Sequence, residues 1–367
     1  MKKQPTLETV AVVGGGMAGL MSAYFLAKAG FSVTLFEKNT CGSGTTKFAA
    51  GMLAPVSELE FTELSLLRIG MESRELYNEL EWDLGDIGLI RAGTLEVGLE
   101  ADDEAYLRRS FEFQQQQGLN VKWVDAKAIQ EIDPFVAANI PFGIYSADDI
   151  QIDHFLLIQI LLDRLPKMGV EICEHNAMLA LSEAPKGKLR LLATFGEWKF
   201  DRVVMTVGAF GGEAIPLPMP IYPIRGEVIS LAPPLSPFLR TTIRIRSRIY
   251  GNAYVVPKPD CIIVGTTSDE KGFAPRNTFG GILNIARKCY AAVPGLYDLD
   301  ILEIGAGLRP ATLDRLPMIG KEQGREVYHL NGLYRHGILL SPLMGKAMAD
   351  LVQNRKLSPD FAASGIR

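Results

Sequence analysis

The sequence predicts an α/β protein of two domains: a Rossmann-type domain and a second, α+β domain built on an antiparallel sheet. Three observations carry this prediction. Residues 8 to 37 run from an apolar β-branched stretch through a glycine cluster and an alanine-rich stretch to a second β run, the pattern of a βαβ unit. The middle of the chain holds short, alternating, β-rich segments punctuated by turn residues, as antiparallel strands do. A length of 367 residues exceeds one ordinary core and suits two packed domains.

Composition narrows the partners. An apolar content of 47% and a charged content of 22% are those of a globular protein. A net charge of -4 argues against nucleic acid, which requires a strongly basic face, so a small molecule is the expected partner. Cys41, Cys173, Cys261 and Cys289 are scattered and form no CxxC pair, which points away from zinc and disulfides and towards a reducing cytoplasm. The opening "MKKQPTLETVAVVGGG" reads as the lead into a first strand, not a cleaved leader. No apolar run reaches the roughly 18 residues of a membrane span. Assembly into a homo-oligomer is left open.

Taken in order, Gly14, Gly16 and Gly19 form a GxGxxG turn between strand and helix. The first glycine permits the tight turn, the second admits a pyrophosphate to the backbone, and the third lets helix and strand pack closely. The helix N-terminus then faces the phosphates. Glu37, at the end of "TLFE", is placed to accept ribose hydroxyls and would repel the extra phosphate of NADP. A second small-residue loop, "CGSGTTKFAAGMLAP" at 41 to 55, lets a flat ring approach the backbone. Amphipathic helices are expected over 61–81 and 101–118, with "QQQQ" at 114–117 on a solvated face.

Strands are expected in "DIGLIRAGTLEVGL", "EVISLAP", "TTIRIRSRIYGNAYVVPK" and "CIIVGTTS", and buried strands in 168–183 and 200–212, the latter ending in glycines that include Gly208. In "RTTIRIRSR", Arg244, Arg246 and Arg248 fall on one strand face, read as a solvated face that protects a sheet edge. The first domain is therefore expected to be discontinuous, over 1–85, 146–215 and 300–367, with the second domain built from 86–145 and 216–299.

Hydrolytic and metal chemistry lack their patterns. There is no GxSxG and no HExxH, and His154, His175, His329 and His336 form no metal-spaced pair. A bound redox cofactor would supply the difficult chemistry, leaving the protein to bind and orient. Attention then falls on Arg309 in "GAGLRPATLDRLPMIG", a charge within apolar surroundings. Its guanidinium must meet an anion or stay wet. The anion could be a substrate carboxylate or a buried acid such as Asp314.

The opening βαβ unit, the TT-x-x-AAGML loop, "PIRGE" at 223–227, "AYVVPK" at 253–258, "GLRPAT" at 307–312 and "YRHGILLSP" at 334–342 together resemble the D-amino-acid oxidase superfamily. Within it they resemble the glycine oxidase, or ThiO-type, branch associated with thiamine biosynthesis. The resemblance implies a Rossmann-type FAD-binding domain and a substrate-binding domain. It carries cofactor contacts to Gly14, Gly16, Met17, Ala18, Gly19, Glu37, Lys38, Thr45, Thr46, Ala50, Gly51, Met52, Met178 and Gly208. It adds the closing turn of Leu333, Tyr334, Arg335, His336, Gly337, Ile338 and Leu339. Arg309 matches the arginine that binds the substrate carboxylate, and Tyr254 and Arg335 match residues beside substrate and flavin; Met52 and Asn252 complete the substrate set. The helix from about Gly337 would direct its positive end at the flavin.

The implied reaction is FAD-dependent oxidative deamination of glycine or another small primary or secondary amino acid, with hydride transfer from Cα to the flavin. It yields an α-keto acid such as glyoxylate, ammonia or an amine, and hydrogen peroxide from oxygen. The same motifs suit a dehydrogenase with a quinone acceptor, or a flavoprotein acting on a residue of a partner protein. The chain departs from the glycine oxidase pattern at Lys47, Phe48, Asn252, Ser268 and the "LYRH" order. These departures gather around the substrate and widen its class to bulkier or N-substituted amino acids. No cysteine sits in a flavin-attachment motif, so noncovalent FAD is expected.

Overall fold

The computed structural model describes residues 7–58, 60–61, 63–211, 219–248, 251–357 and 361; the opening lysines and Gly212 fall outside them. Among the described residues the strands gather into four sheets. The first has six strands, in the order Met318–Lys321, Val327–Asn331, Arg202–Met205, Thr9–Val13, Ser32–Phe36 and Glu171–Cys173. All pair in parallel except the outermost, Met318–Lys321.

Its strands show continuous apolar runs because both faces are covered. Val10, Val12, Val33, Leu35 and Val204 pack on helices Met17–Lys28, Leu64–Leu84, His154–Lys167 and Gly337–Val352. Ala11, Val13, Phe36, Val203 and Met205 pack on a three-stranded antiparallel sheet, Met178–Ala184, Lys188–Ala193 and Gly196–Phe200. The expectation of buried strands over 168–183 is corrected here. Glu171–Cys173 closes one edge of the sheet and Met178–Ala184 is largely exposed, since an edge strand and a one-faced hairpin each leave side chains in water.

The eight-stranded sheet runs Ile301–Ala311, Tyr222–Leu231, Ile262–Gly265, Ala253–Pro257, Thr242–Arg246, Thr94–Gly98, Phe142–Ser146 and Val121–Asp125. It is antiparallel apart from the pair Thr94–Gly98 and Thr242–Arg246. Leu95, Val97, Ile243, Ile245, Val255 and Val264 point to one face and meet helix Phe279–Ala292 through Ile285 and Cys289. Val228, Val256 and Ile263 point to the other and meet Ala50 of the small-residue loop. The second face is thus a wall against the six-stranded unit.

Other expectations are altered. Ile301–Ala311, which the sequence reading grouped with the six-stranded unit, pairs with Tyr222–Leu231 from Tyr222 opposite Ala311 to Leu231 opposite Ile301. Its glycines allow close approach, because a Cβ at Gly305 would overlap the ring of Phe48. The segment 86–99 divides between two sheets, as Leu89–Ile90 and Thr94–Gly98. Gln114 is not solvated: it is buried and donates from Nε2 to Val56 O at 3.2 Å, while residues 115–117 are exposed.

The arginine face is the largest correction. Thr242–Arg246 is an interior strand, and Arg246 is buried, donating from Nε to Glu96 Oε1 at 2.5 Å. Arg244 stands 3.7 Å from Glu58 Oε1 with its side chain 11% exposed. Only Arg248, past the strand end, is exposed. Charged residues tolerate such burial when carboxylates are brought to them. Here the carboxylates come from a neighbouring strand and from Glu58 and Glu60, which strand periodicity does not reveal.

Helix Gly337–Val352 crosses helix Met17–Lys28 at Gly345, where an added Cβ would lie 2.8 Å from the Met21 carbonyl carbon and 2.9 Å from its oxygen. Alanine in a helix interior gains about 1 kcal/mol over glycine, but backbone atoms cannot step aside as a side-chain tip can. Gly345→Ala is therefore expected to destabilise the protein by about 1–3 kcal/mol, measured as a fall in Cm or Tm.

Candidate active site

A cavity of about 920 Å³ lies between the glycine turn and the wall of the eight-stranded sheet. The turn has the shape a dinucleotide needs. Gly14 takes φ +109°, a Cβ there or at Gly19 would overlap backbone, and only Gly16 faces open space, with Thr46 Oγ1 3.4 Å from its added Cβ. The strand and helix are thus locked together behind a bare patch of backbone. Helices Met17–Lys28 and Gly337–Val352 both start at the cavity without a side-chain cap from the residue before them. Met17 N donates to Thr46 Oγ1 at 3.3 Å, and the remaining first-turn N–H groups and positive dipole ends face phosphate or a developing negative charge. Glu37 lies at the same end, its Oε2 accepting from Gly15 N at 2.7 Å and its Oε1 from Asn39 N at 2.9 Å. Open backbone, uncapped amides and a positioned carboxylate fit FAD.

The expected residues converge. Gly14, Gly16, Met17, Ala18, Glu37, Lys38, Thr45, Thr46, Ala50, Gly51, Met52, Met178, Gly208, Asn252, Tyr254, Arg309, Leu333, Tyr334, Arg335, Gly337 and Ile338 all line the cavity. Three others do not. Gly19 packs behind the turn, His336 is buried with Nδ1 3.6 Å from Glu58 Oε2, and Leu339 is in the helical core.

Arg309 is held without an acid. Nη2 donates to Thr266 Oγ1 at 2.7 Å and Nη1 to Thr267 O at 3.1 Å, and the guanidinium lies over Gly226, where a Cβ would displace it. It makes no ion pair among the described residues. Asp314, the alternative partner, instead accepts from Leu316 N at 3.0 Å. Tyr254 also lines this end; burial, opposed by the nearby Arg309 charge, raises its phenol pKa, so its hydroxyl stays protonated at neutral pH.

Arg335 differs from Arg309 in having partners already. Its Nη2 donates to Glu63 Oε2 at 2.5 Å and Glu58 O at 3.2 Å, and its Nε to His336 Nε2 at 3.1 Å. Burial works against ionisation of Glu58, but His336 and the charges of Arg244 and Arg335 outweigh it and hold its pKa at about 2.

With this geometry in view, the profile of the family described as FAD dependent oxidoreductase (DAO) matches residues 9–351. The chain belongs to that family. It is 31% identical to the glycine oxidase of Geobacillus kaustophilus (strain HTA426), over 96% of this chain and 95% of that protein. It is 29% identical to the bifunctional protein ThiO/ThiG of Nostoc sp. (strain PCC 7120 / SAG 25.82 / UTEX 2576), over 95% of this chain and 53% of that longer protein. The crystal structure of glycine oxidase from Geobacillus kaustophilus superposes with a TM-score of 0.90 at 30% identity, covering 98% of this chain and 99% of that one. This family member is an FAD-dependent oxidoreductase of the glycine oxidase type, with a mixed α/β fold.

Several lining residues escaped sequence reasoning. Glu58, Glu60, Arg244, Thr266, Thr267 and Lys288 all border the cavity. For Arg244 a signal existed. It faces Tyr254 across an antiparallel pair, so a hairpin reading of 241–258 would have placed the two on one face. Glu58 and Glu60 lie in an irregular turn with no periodicity to interpret.

Glu58 supplies a test. Its pKa falls on folding, from an ordinary 4.5 to about 2, so its contribution to stability is present above about pH 4.5 and is lost as pH falls towards 2. The stability difference between wild type and Glu58→Gln is expected to be large at pH 6 and to shrink steadily to pH 3. Urea unfolding across that range measures it; a pH-independent difference would show that the carboxylate's charge is not what matters.

Proposed function

We propose that this protein is an amino-acid oxidase that binds FAD noncovalently and takes a small primary or secondary amino acid through its carboxylate. The observation that carries the reading is Arg309, a guanidinium facing the FAD-sized cavity with no acid to neutralise it. A planar fork of this kind grips a carboxylate through two parallel hydrogen bonds. The Tyr254 hydroxyl, protonated at neutral pH, donates beside it.

The glycine turn, the loop 45–52, Glu37, Lys38, Met178, Gly208 and the turn 333–338 would hold FAD, and the wall of the eight-stranded sheet, which includes Ile301–Ala311, the substrate. Bound FAD supplies the hydride acceptor for the substrate's α-carbon and, with oxygen, the overall conversion to α-keto acid, ammonia or amine, and hydrogen peroxide. The chain's own residues orient the α-carbon by fixing the carboxylate. The N-terminus of helix Gly337–Val352 stabilises negative charge at that end of the cavity. Thiols that are free throughout support a cytoplasmic setting.

Anaerobic addition of glycine, sarcosine or a small D-amino acid is expected to bleach the yellow flavin, and air to restore it with one equivalent of peroxide. No bleaching by any of them, or by iminodiacetate or D-glutamate, would refute the reading. Arg309→Met is expected to retain FAD while kcat/KM falls on the order of 100-fold, and Arg309→Lys to recover little because an ammonium lacks the fork. Acid precipitation is expected to release the flavin quantitatively into the supernatant; yellow colour left in the pellet would reveal a covalent link.

A further inference from the structure

We infer that the cavity contains a second anion-binding position, made by Arg244 with Lys288 close by, and that the preferred substrate is an amino acid carrying a second carboxylate. The inference rests on the amino-acid oxidase reading and refines its substrate.

Arg244 lies directly opposite Tyr254 in the antiparallel pair, and Tyr254 directly opposite Gly265. The three share a face, and Thr266, the next residue, holds Arg309. The cavity wall therefore presents two guanidinium groups with Tyr254 between them. The Arg309 guanidinium lies over Gly226 and beside Thr266, two to three strand spacings, roughly 10–14 Å, from the strand of Arg244, a gap that the long Arg244 side chain narrows, so one small molecule bearing two carboxylates reaches both groups.

The charges around Arg244 leave it under-used. Its Nη1 is buried and has no hydrogen-bond partner. Glu58 is 3.7 Å away, beyond hydrogen-bond reach, and is shared with His336. Glu60 and Glu96 face Arg246, and Glu63 is taken by Arg335. Lys288 reaches the same end of the cavity, where its Nζ donates to the Asn252 carbonyl at 2.8 Å, and it meets no carboxylate among the described residues. Pairing Arg244 with Glu58 and Arg335 with Glu63 still leaves Arg309 and Lys288 as two uncompensated cations. A monocarboxylate answers one of them and leaves a buried arginine donor unsatisfied, a penalty a second carboxylate removes.

Matched substrate pairs test this in the holoenzyme. Iminodiacetate differs from sarcosine by one carboxylate on the nitrogen substituent, and D-glutamate differs from D-glutamine by charge on the side chain. In at least one pair the diacid is expected to have a kcat/KM at least about tenfold higher. Arg244→Met is expected to lower that value about 30-fold more than it lowers the value for the uncharged partner. Because the variant could fold poorly, wild-type binding is a second readout: glutarate should perturb the flavin spectrum at roughly tenfold lower concentration than butyrate. If sarcosine or glycine reduces the flavin while neither diacid nor glutarate shows an advantage, the inference fails and the oxidase reading stands. If no amino acid reduces the flavin, both fail.

Discussion

The working geometry depends on one seam, where the loop that follows the second strand of the six-stranded sheet meets the edge strand of the eight-stranded sheet. Thr45 Oγ1 donates to Leu308 O at 2.6 Å, and Phe48 lies flat against the bare backbone at Gly305. These contacts bracket Arg309 from the residue before it to the start of its strand's buried stretch. Lys47 adds an ion pair to Glu303 at 2.5 Å, but both groups are near half exposed and such a pair contributes little. The close approach of Phe48 and the hydrogen bond of Thr45 set how the loop 45–52 and Arg309 lie relative to each other. Lys47 and Phe48 are also positions at which the sequence resemblance implies small residues, and here the seam is made with an aromatic ring.

Behind the seam, electrostatics divide the cavity. One end offers bare backbone, two uncapped helix starts and Glu37, which together suit phosphates and a ribose. The other end is a charged lattice on a sheet face, with Arg335 and Glu63, His336 and Glu58, and Arg246 with Glu96 and Glu60. Paired charges of this kind are poor stabilisers compared with apolar packing. Arg309, which has no ion pair among the described residues, is held instead by two threonines through oxygen atoms alone. A neutral cradle leaves its charge for the ligand.

Much of this was legible in the sequence, for identifiable reasons. The glycine spacing is read because it depends on neighbouring residues of one turn, and the structure places Gly14, Gly16 and Gly19 in three distinct steric situations that the spacing implies. The start of the helix at Gly337 is read because a turn and an apolar run mark it locally. What failed was non-local. The sequence reading groups Ile301–Ala311 with the first domain, and its place in the eight-stranded sheet depends on contacts of Gly305 and Gly307 with Phe48 and Thr45, more than 250 residues away in sequence. Glu58 and Glu60 carry no pattern at all, and their importance comes only from the strands that fold against them.

The arginines of "RTTIRIRSR" show why periodicity can be right about a face and wrong about its environment. Alternation correctly puts Arg244 and Arg246 on one side of a strand. Treating that side as solvated assumed that charged faces meet water, which holds for most sheets because burying an unpaired charge is costly. This sheet has one face that packs on helix Phe279–Ala292 and another that borders a cavity, and a cavity wall is neither core nor surface. Charges there need partners, and Glu96 from the parallel neighbour supplies one for Arg246. Arg244, directly opposite Tyr254, has its nearest carboxylate, Glu58, at 3.7 Å, so the arginine of this strand with the more distant acid is the one that lines the cavity.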